Sequence, residues 1–308
     1  RVMADRMVVH LLLLSLVAQI HSVPISKLSP SFDFADAMTF ADRIQSGVTK
    51  DLFQSFSICG HCNEWKRFGE AHDGGYVQCM DNLKGPADVQ AAYSMGVSNR
   101  DKWSSDIFEA FKTPVFQYDC TVRGPAQKCE ECHFFPACLK GNESADPFPG
   151  RTSWTLKEAV KQSNMSSAPE RSLLLKMDVE GAEWPTLVNS DLETLKKFRQ
   201  LVVEFHHIHH EKEHELYLKV MRRLRAAGFK VVHVHGNNLV RVYQKEELRL
   251  PRVLEVTFDA LATSLPGCHD PENTPLDTPN YPRFSEVTDM HTEPMVLMSI
   301  SMAGRNGE

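Results

Sequence analysis

The residues best suited to chemistry follow an apolar run in "LLLKMDVEGAEWPTL", where Leu173 to Met177 is succeeded by Asp178, Glu180 and Glu183. A buried strand that ends on an aspartate delivers its carboxylate to the crevice at the carboxyl end of a parallel sheet, where α/β folds bind ligands. If the chain stays extended, Asp178 and Glu180 point to one side, while Glu183 lies nearly one helical turn beyond Glu180 and shares its face. Acidic residues favour the first turn of a helix, which accounts for part of the cluster but not for an aspartate closing so apolar a strand. Gly181 eases the strand-to-helix turn. A second acidic and imidazole-rich group closes "QLVVEFHHI", where Glu204 and His206 face the same side of an extended segment. His206 is the candidate general base, because imidazole titrates near neutral pH. Alternatively, Asp178 with Glu204 or His206 holds a divalent ion, oxygen ligands favouring magnesium or calcium and imidazole a transition metal. His209, His210 and His214 read as a solvated helix start, and His233 and His235 as either rim contacts or structural residues. Gly96 permits close backbone approach to a ligand, with Ser94, Ser98 and Asn99 as polar neighbours. Asp119 is placed to accept hydrogen bonds from a ribose diol or to cap a turn.

These groups need a scaffold, and the chain supplies strand-like and helix-like runs in alternation. "VQAAYSMGV" predicts a strand opening into Gly96, "DIFEAF" the helix behind it, and "PVFQYDC" a second strand ending at Asp119. "HFFPACL" is a candidate third strand interrupted by Pro136 and therefore at an edge or a bulge. "TLKEAVKQS" predicts a helix capped by Thr152 or Ser153, and the Leu173 run is strand four. "QLVVEFHHI", "FKVVHVHG" and "VLEVTFDA" are the remaining strands, and "HELYLKVMRRLRAAG" is a helix stopped by Gly228. The expected fold class is α/β, a parallel sheet with helices on both faces and a cysteine-containing N-terminal extension. Expected boundaries are a leader at 1–22, a helical and cysteine-containing subdomain at 31–85, the α/β domain at 86–262, and an irregular wrap and tail at 263–308. In the second of these, Phe34, Ala37, Met38, Ala41, Ile44 and Val48 have helical spacing. "CGHCNEWKRFGEAHDGGYVQC" reads as a disulfide-pinned hairpin or as a segment bringing His72 and Asp73 to the crevice.

Length and composition bound the rest. A chain of 308 residues with 42% apolar content buries one substantial core, and a formal charge of -6 gives no global field for nucleic acid. "HLLLLSLVAQI" is shorter than the about 20 residues of a membrane span and reads as the apolar part of a secretory signal, with a signal anchor as the alternative. The expected location is secreted or in the secretory lumen, with membrane attachment only if the leader is retained. The 8 cysteines lie beyond the leader, an even set suited to disulfides, although Cys59-x2-Cys62 and Cys129-x2-Cys132 also have zinc-like spacing. The sequons at Asn142 and Asn164 predict glycans.

"AYSMGVSNRDKW", "FQYDCT", "LLLKMDVEGAEW", "LVVEFH" and "YLKVMRRLRAAGFKVVHVH" resemble successive motifs of the class I S-adenosylmethionine-dependent methyltransferases, and within them the FkbM-like group. The resemblance runs from "DGGYVQC" to about "VLEVTF", with "DVEGAEW" its most specific part. It implies a Rossmann-like methyltransferase sheet, S-adenosylmethionine as cofactor, and a cofactor cradle from Tyr93 and Ser94 to Gly96. It further implies Asp119 at the ribose, Asp178 facing the sulfonium, and Glu204 and His206 on the substrate side. The implied activity is methyl transfer to a hydroxyl of a glycan or small molecule. The chain departs from the pattern in having one glycine, beside Met95, at the cofactor loop. The alternative is a secreted pseudoenzyme or binding module that keeps the fold and contacts a protein partner.

Overall fold

The computed structural model describes residues 47–124, 129–141 and 150–292. The leader, most of the 31–85 helical spacing before residue 47, and the Asn142 sequon lie outside those residues.

The apolar runs become seven strands of one sheet: β1 (Ala91–Met95), β2 (Val115–Tyr118), β3 (Cys132–Phe135), β4 (Leu173–Met177), β5 (Phe198–Phe205), β6 (Lys230–Gly236) and β7 (Leu254–Asp259). Their order is β6-β7-β5-β4-β1-β2-β3. Alternation along each strand sends side chains to two separate cores. On one side Ala92, Val115, Leu174 and Val202 meet Trp103, Ile107 and Phe111 of helix α1 (Lys102–Phe111), together with Phe68 and Tyr76. The three α1 residues recur every fourth position, and burying each side chain of that size stabilises the fold by about 1.5–3 kcal/mol. On the other side Tyr93, Leu173, Leu175, Leu201 and Val203 pack beneath helices α2 (Leu156–Gln162), α3 (Glu183–Asn189), α4 (Leu192–Lys196) and α5 (His214–Ala226). This is an α/β sheet flanked by helices, consistent with a Rossmann-like methyltransferase fold.

Not all the strands are parallel. β7 runs antiparallel to both β5 and β6, with Val256 opposite Val203 and Val234. A parallel return would need a crossover back to the amino edge of the sheet. The chain between β6 and β7 forms only a hairpin, Val242–Lys245 with Leu248–Pro251, so β7 starts at the carboxyl edge and runs back. The cap of α2 is Thr155, not Thr152 or Ser153. Its hydroxyl accepts from Glu158 N and the Glu158 carboxylate accepts from Thr155 N, while Ser153 lies in a short strand. Of the edge and the bulge that Pro136 allowed, the structure has the edge, since β3 is the last strand of the sheet.

Residues 48–54 are helical. The segment after them is both things the sequence allowed, a hairpin of Trp65–Gly69 against Gly75–Cys79 and a wall of the crevice. Its second strand is wholly buried, and Cys62–Cys79 pins its base. The other bridges are Cys59–Cys268, Cys120–Cys138 and Cys129–Cys132, so disulfides use all the cysteines and exclude the zinc reading. They are not confined to an N-terminal extension. Past residue 262 the chain is not wholly irregular, because Thr263–His269 pairs antiparallel with Ile58–His61. Among the described residues no helix is long and apolar enough to cross a membrane.

Candidate functional site

The site forms where β1, β2 and β4 end side by side. Gly96 turns the chain at φ +80°, donates its N–H to Tyr118 O at 2.8 Å, and lies so close to β4 that an added Cβ would fall 1.6 Å from Asp178 O. Only glycine permits both that conformation and that approach. The next two amides, of Val97 and Ser98, donate to Asp119 Oδ2 at 3.0 and 2.9 Å. Asp119 Oδ1 takes the N–H and hydroxyl of Thr121 at 2.7 and 2.6 Å. Burial would raise the Asp119 pKa, but these four donors outweigh it and hold the carboxyl below its ordinary value. With its lone-pair sites filled, Asp119 first of all fixes the loop after β1; a ribose diol would have to take the place of the Thr121 hydroxyl.

Asp178 Oδ2 accepts from Tyr76 Oη at 3.0 Å and lies 3.4 Å from Lys176 Nζ. The Lys176 ammonium also donates to Gly96 O, joining β4 to the loop after β1. Its side chain is only 6% exposed. Neither Tyr76 nor Lys176 was singled out from sequence, although a lone lysine inside "LLLKM" is itself a signal, since buried lysines need partners.

Two lobes of one cleft meet at Gly96, Ser98 and Asp178. The smaller, ≈ 260 Å³, has apolar walls from Ala137, Leu139 and Val179 with Asp119 at its edge. The larger, ≈ 580 Å³, is lined by His72, Asp73, Asn99, Arg100 and Lys176 among others. Burial, with the charges of Glu255 and Asp178, raises the Asp73 pKa against the lowering effect of Asn280.

Several expected site residues sit elsewhere. Tyr93 is fully buried on the side of α2–α5, its hydroxyl bonded to Ser163 and its ring stacked on Tyr118, and Ser94 Oγ is buried without a partner. Neither side chain lines the cleft; within the expected cradle only Gly96 does. Glu204 is 5% exposed and lies behind the cleft wall, taking Asn237 Nδ2 at 3.1 Å. Burial and the charges of Asp178, Glu255 and Asp73 push its pKa well above the carboxylate range.

His206 is not poised as a neutral base. Its Nδ1 is 2.9 Å from Glu183 Oε1 and its Nε2 3.4 Å from Glu180 Oε2. Burial alone would lower its pKa, but the Glu183 contact raises it to about 9, so the ring is an imidazolium at neutral pH. Glu183 is fully buried, also accepts from Val179 N at 2.9 Å, and thereby fastens the strand-to-helix turn to β5. Glu180 stands in the left-handed region at φ 55°, and it still closes a group with Asp178 and His206 whose ligand atoms lie within 4.8 Å. Both His206 nitrogens face carboxylates, so that group is satisfied as ion pairs.

The other histidines divide. His214 is not solvated; it is fully buried between Thr49 Oγ1 at 2.9 Å and Ile208 O at 2.8 Å. His233 pairs with Asp277, and His235 bridges Glu255 and Glu286. Both are structural clamps, with burial opposing and the two glutamates raising the His235 pKa to about 10.

Residues 166–231 match the methyltransferase FkbM domain, the stretch from the approach to β4 through α5 into β6. No curated protein matches the chain. Among solved structures it is similar to M. jannaschii TYW2 in complex with AdoMet, at 10% identity and a TM-score of 0.28, over 58% of this chain and 72% of that one. It is also similar to a mutant of the 16S rRNA (adenine(1408)-N(1))-methyltransferase from Catenulisporales acidiphilia, at 11% identity and a TM-score of 0.28, over 66% of this chain and all of that one.

Proposed function

We propose that this protein is a methyltransferase that uses S-adenosylmethionine and transfers the methyl group to a hydroxyl of a glycan or small molecule. The observation that carries this reading is the cleft at the ends of β1, β2 and β4, built by the Gly96 approach to Asp178 and flanked by Asp119. The residues fit the cofactor: apolar walls and an edge carboxylate suit a nucleoside in the smaller lobe, and a charged, polar larger lobe suits an amino-acid end and an acceptor. When bound, S-adenosylmethionine supplies an electrophilic methyl group. The protein's own contribution is alignment and proton removal, which together supply much of the rate of such a transfer.

Ser98 at the junction of the lobes and Asn99 in the larger one are placed to orient polar groups. Asp178 takes the role expected of His206. Asp178 lines both lobes, and with Oδ2 held by Tyr76 and Lys176 its other oxygen is the acceptor assigned in this reading to the hydroxyl proton. His206, as a cation held by Glu183, positions the turn that carries Asp178. The compartment expected for the reaction is the secretory lumen, a reading supported by the four disulfides.

Calorimetry of the purified, oxidised protein with S-adenosylmethionine and its demethylated product tests the reading. Saturable binding of either is expected, with Asp178→Asn retaining the fold and losing turnover on a hydroxyl acceptor. Absence of binding by both ligands, with and without divalent ions, overturns it.

A further inference from the structure

Apart from the cleft, a second cavity opens where the strand Ile58–His61 lies over β6, so close that an added Gly60 Cβ would fall 2.7 Å from Val232 Cγ1. Its volume is ≈ 370 Å³, within the range of small-molecule sites, and it shares no lining residue with either lobe of the cleft. Trp65, Val232, Leu265 and Pro275 give it apolar walls, and Glu272 and Thr274 are among its polar groups. The walls are stapled in place. Cys59–Cys268 joins Ile58–His61 to Thr263–His269, and Cys62, itself a lining residue, is bridged to Cys79. A site whose walls are already linked covalently loses little freedom when a ligand enters.

Two observations point to a ligand and to its chemistry. His233 lines the cavity although it is only 3% exposed, and its Nε2 lies 3.0 Å from Asp277 Oδ2. A carboxylate only accepts, so Nε2 carries the hydrogen, and among the described residues no protein group bonds to Nδ1. A ring nitrogen on so buried a side chain ordinarily has a partner. The second observation is charge. Among the described residues no lysine or arginine lines the cavity, and its one carboxylate is Glu272. Such walls disfavour a phosphate or carboxylate ligand and suit a neutral one rich in O–H donors. Trp65 is only partly buried, with its ring 5.7 Å from that of His233. An indole offers a broad apolar face, which suits a ring with C–H groups on its face and hydroxyls at its rim.

We propose that this cavity binds an uncharged sugar ring, at a place separate from that of methyl transfer. The ring lays its C–H face on Trp65, and its hydroxyls bond to His233 Nδ1 and to the Glu272 carboxylate. A hydroxyl both donates and accepts, so it satisfies Nδ1 in either protonation state of the imidazole. Asp277 is the positioning residue. Its Oδ2 holds His233 and also accepts from Thr274 N at 2.6 Å, which fixes the imidazole and the turn of the C-terminal arm together. A glycan held here stays on the protein independently of turnover in the cleft.

The test uses the full, oxidised chain without S-adenosylmethionine, so its outcome is separate from that of the methyl-transfer reading. Methyl glycosides of glucose, galactose, mannose and N-acetylglucosamine are titrated in by calorimetry and by tryptophan fluorescence. At least one is expected to bind saturably with a dissociation constant of about 1 mM, ordinary for a ligand of about 13 non-hydrogen atoms. Trp65→Phe keeps an aromatic face and should bind within a few-fold of the wild type while losing most of the fluorescence change. Trp65→Ala should weaken binding by at least about 10-fold. Glu272→Ala, at an exposed position that leaves folding intact, should weaken it by about 3–10-fold. Asp178→Asn, in the cleft, should bind the glycoside normally. No saturable binding of any of these glycosides overturns the proposal, as does undiminished binding in folded Trp65→Ala. Sugar binding that is lost in Asp178→Asn puts the ring in the cleft and overturns it equally.

Discussion

At the scale of single residues, burial and partner decide what a titratable side chain does. His206 has the type and place of a general base, but Glu183 on one nitrogen and Glu180 on the other make it a cation. Its pKa rises from 6.5 to about 9, so its contribution to stability is fully present below about 6.5 and is lost as pH rises through about 9. Histidine proton shifts followed by NMR should show this titration, and Glu183→Gln should move it back toward the ordinary value. Replacing His206 with Phe leaves a fully buried glutamate without its cation, and urea unfolding should show a loss of about 3–5 kcal/mol. The "DVEGAEW" segment is therefore divided in role: Asp178 faces the cleft, Glu183 fastens the turn, and Glu180 lies at its rim.

At the scale of elements, the cleft exists because the loop after β1 crosses the end of β4 in backbone contact. Gly96→Ala must relieve a Cβ 1.6 Å from a carbonyl oxygen and also adopt a left-handed conformation. The conformation alone costs about 1–2 kcal/mol, and the clash adds to it. Urea unfolding should report a larger loss than that, with cofactor binding lost in whatever folds. Gly85→Ala is the control, since Gly85 has open space around its Cα and extended backbone, and its stability should be nearly unchanged. The strands and helices were largely legible in sequence, because their apolar periodicity is a local property. The direction of β7 was not, since it depends on a connection that stays at one edge of the sheet.

At the scale of the molecule, the C-terminal arm joins back to the hairpin and the sheet. Cys59–Cys268 spans 209 residues, against 17 for Cys62–Cys79. In the chain-entropy account the longer loop is worth about 5 kcal/mol and the shorter about 3, the longer figure being an upper one because other bridges already shorten its loop. Replacing Cys59 and Cys268 together with Ala should therefore lower the urea midpoint more than replacing Cys62 and Cys79. Hydrogen exchange should quicken through Thr263–His269, whose pairing that bridge staples. The arm also places Asn280 against Glu255 and Glu286 against His235, and Asn238 Oδ1 receives Tyr281 N at 2.8 Å.

The sequence by itself determined the α/β class, most of the strands, and the arrival of Gly96, Asp119 and Asp178 at strand ends, and it favoured disulfides over zinc. Each of these follows from local period, composition or the carboxyl-end rule. Only the tertiary structure decided which side chains face the cleft. Tyr93 and Ser94 turn away into buried positions, Lys176 lines the cleft, and Tyr76 reaches Asp178 from a buried position. Glu204 joins Asp73 and Glu255 from distant parts of the chain. The reason is that protonation and metal affinity depend on distance and burial between residues far apart in sequence, which no local pattern encodes.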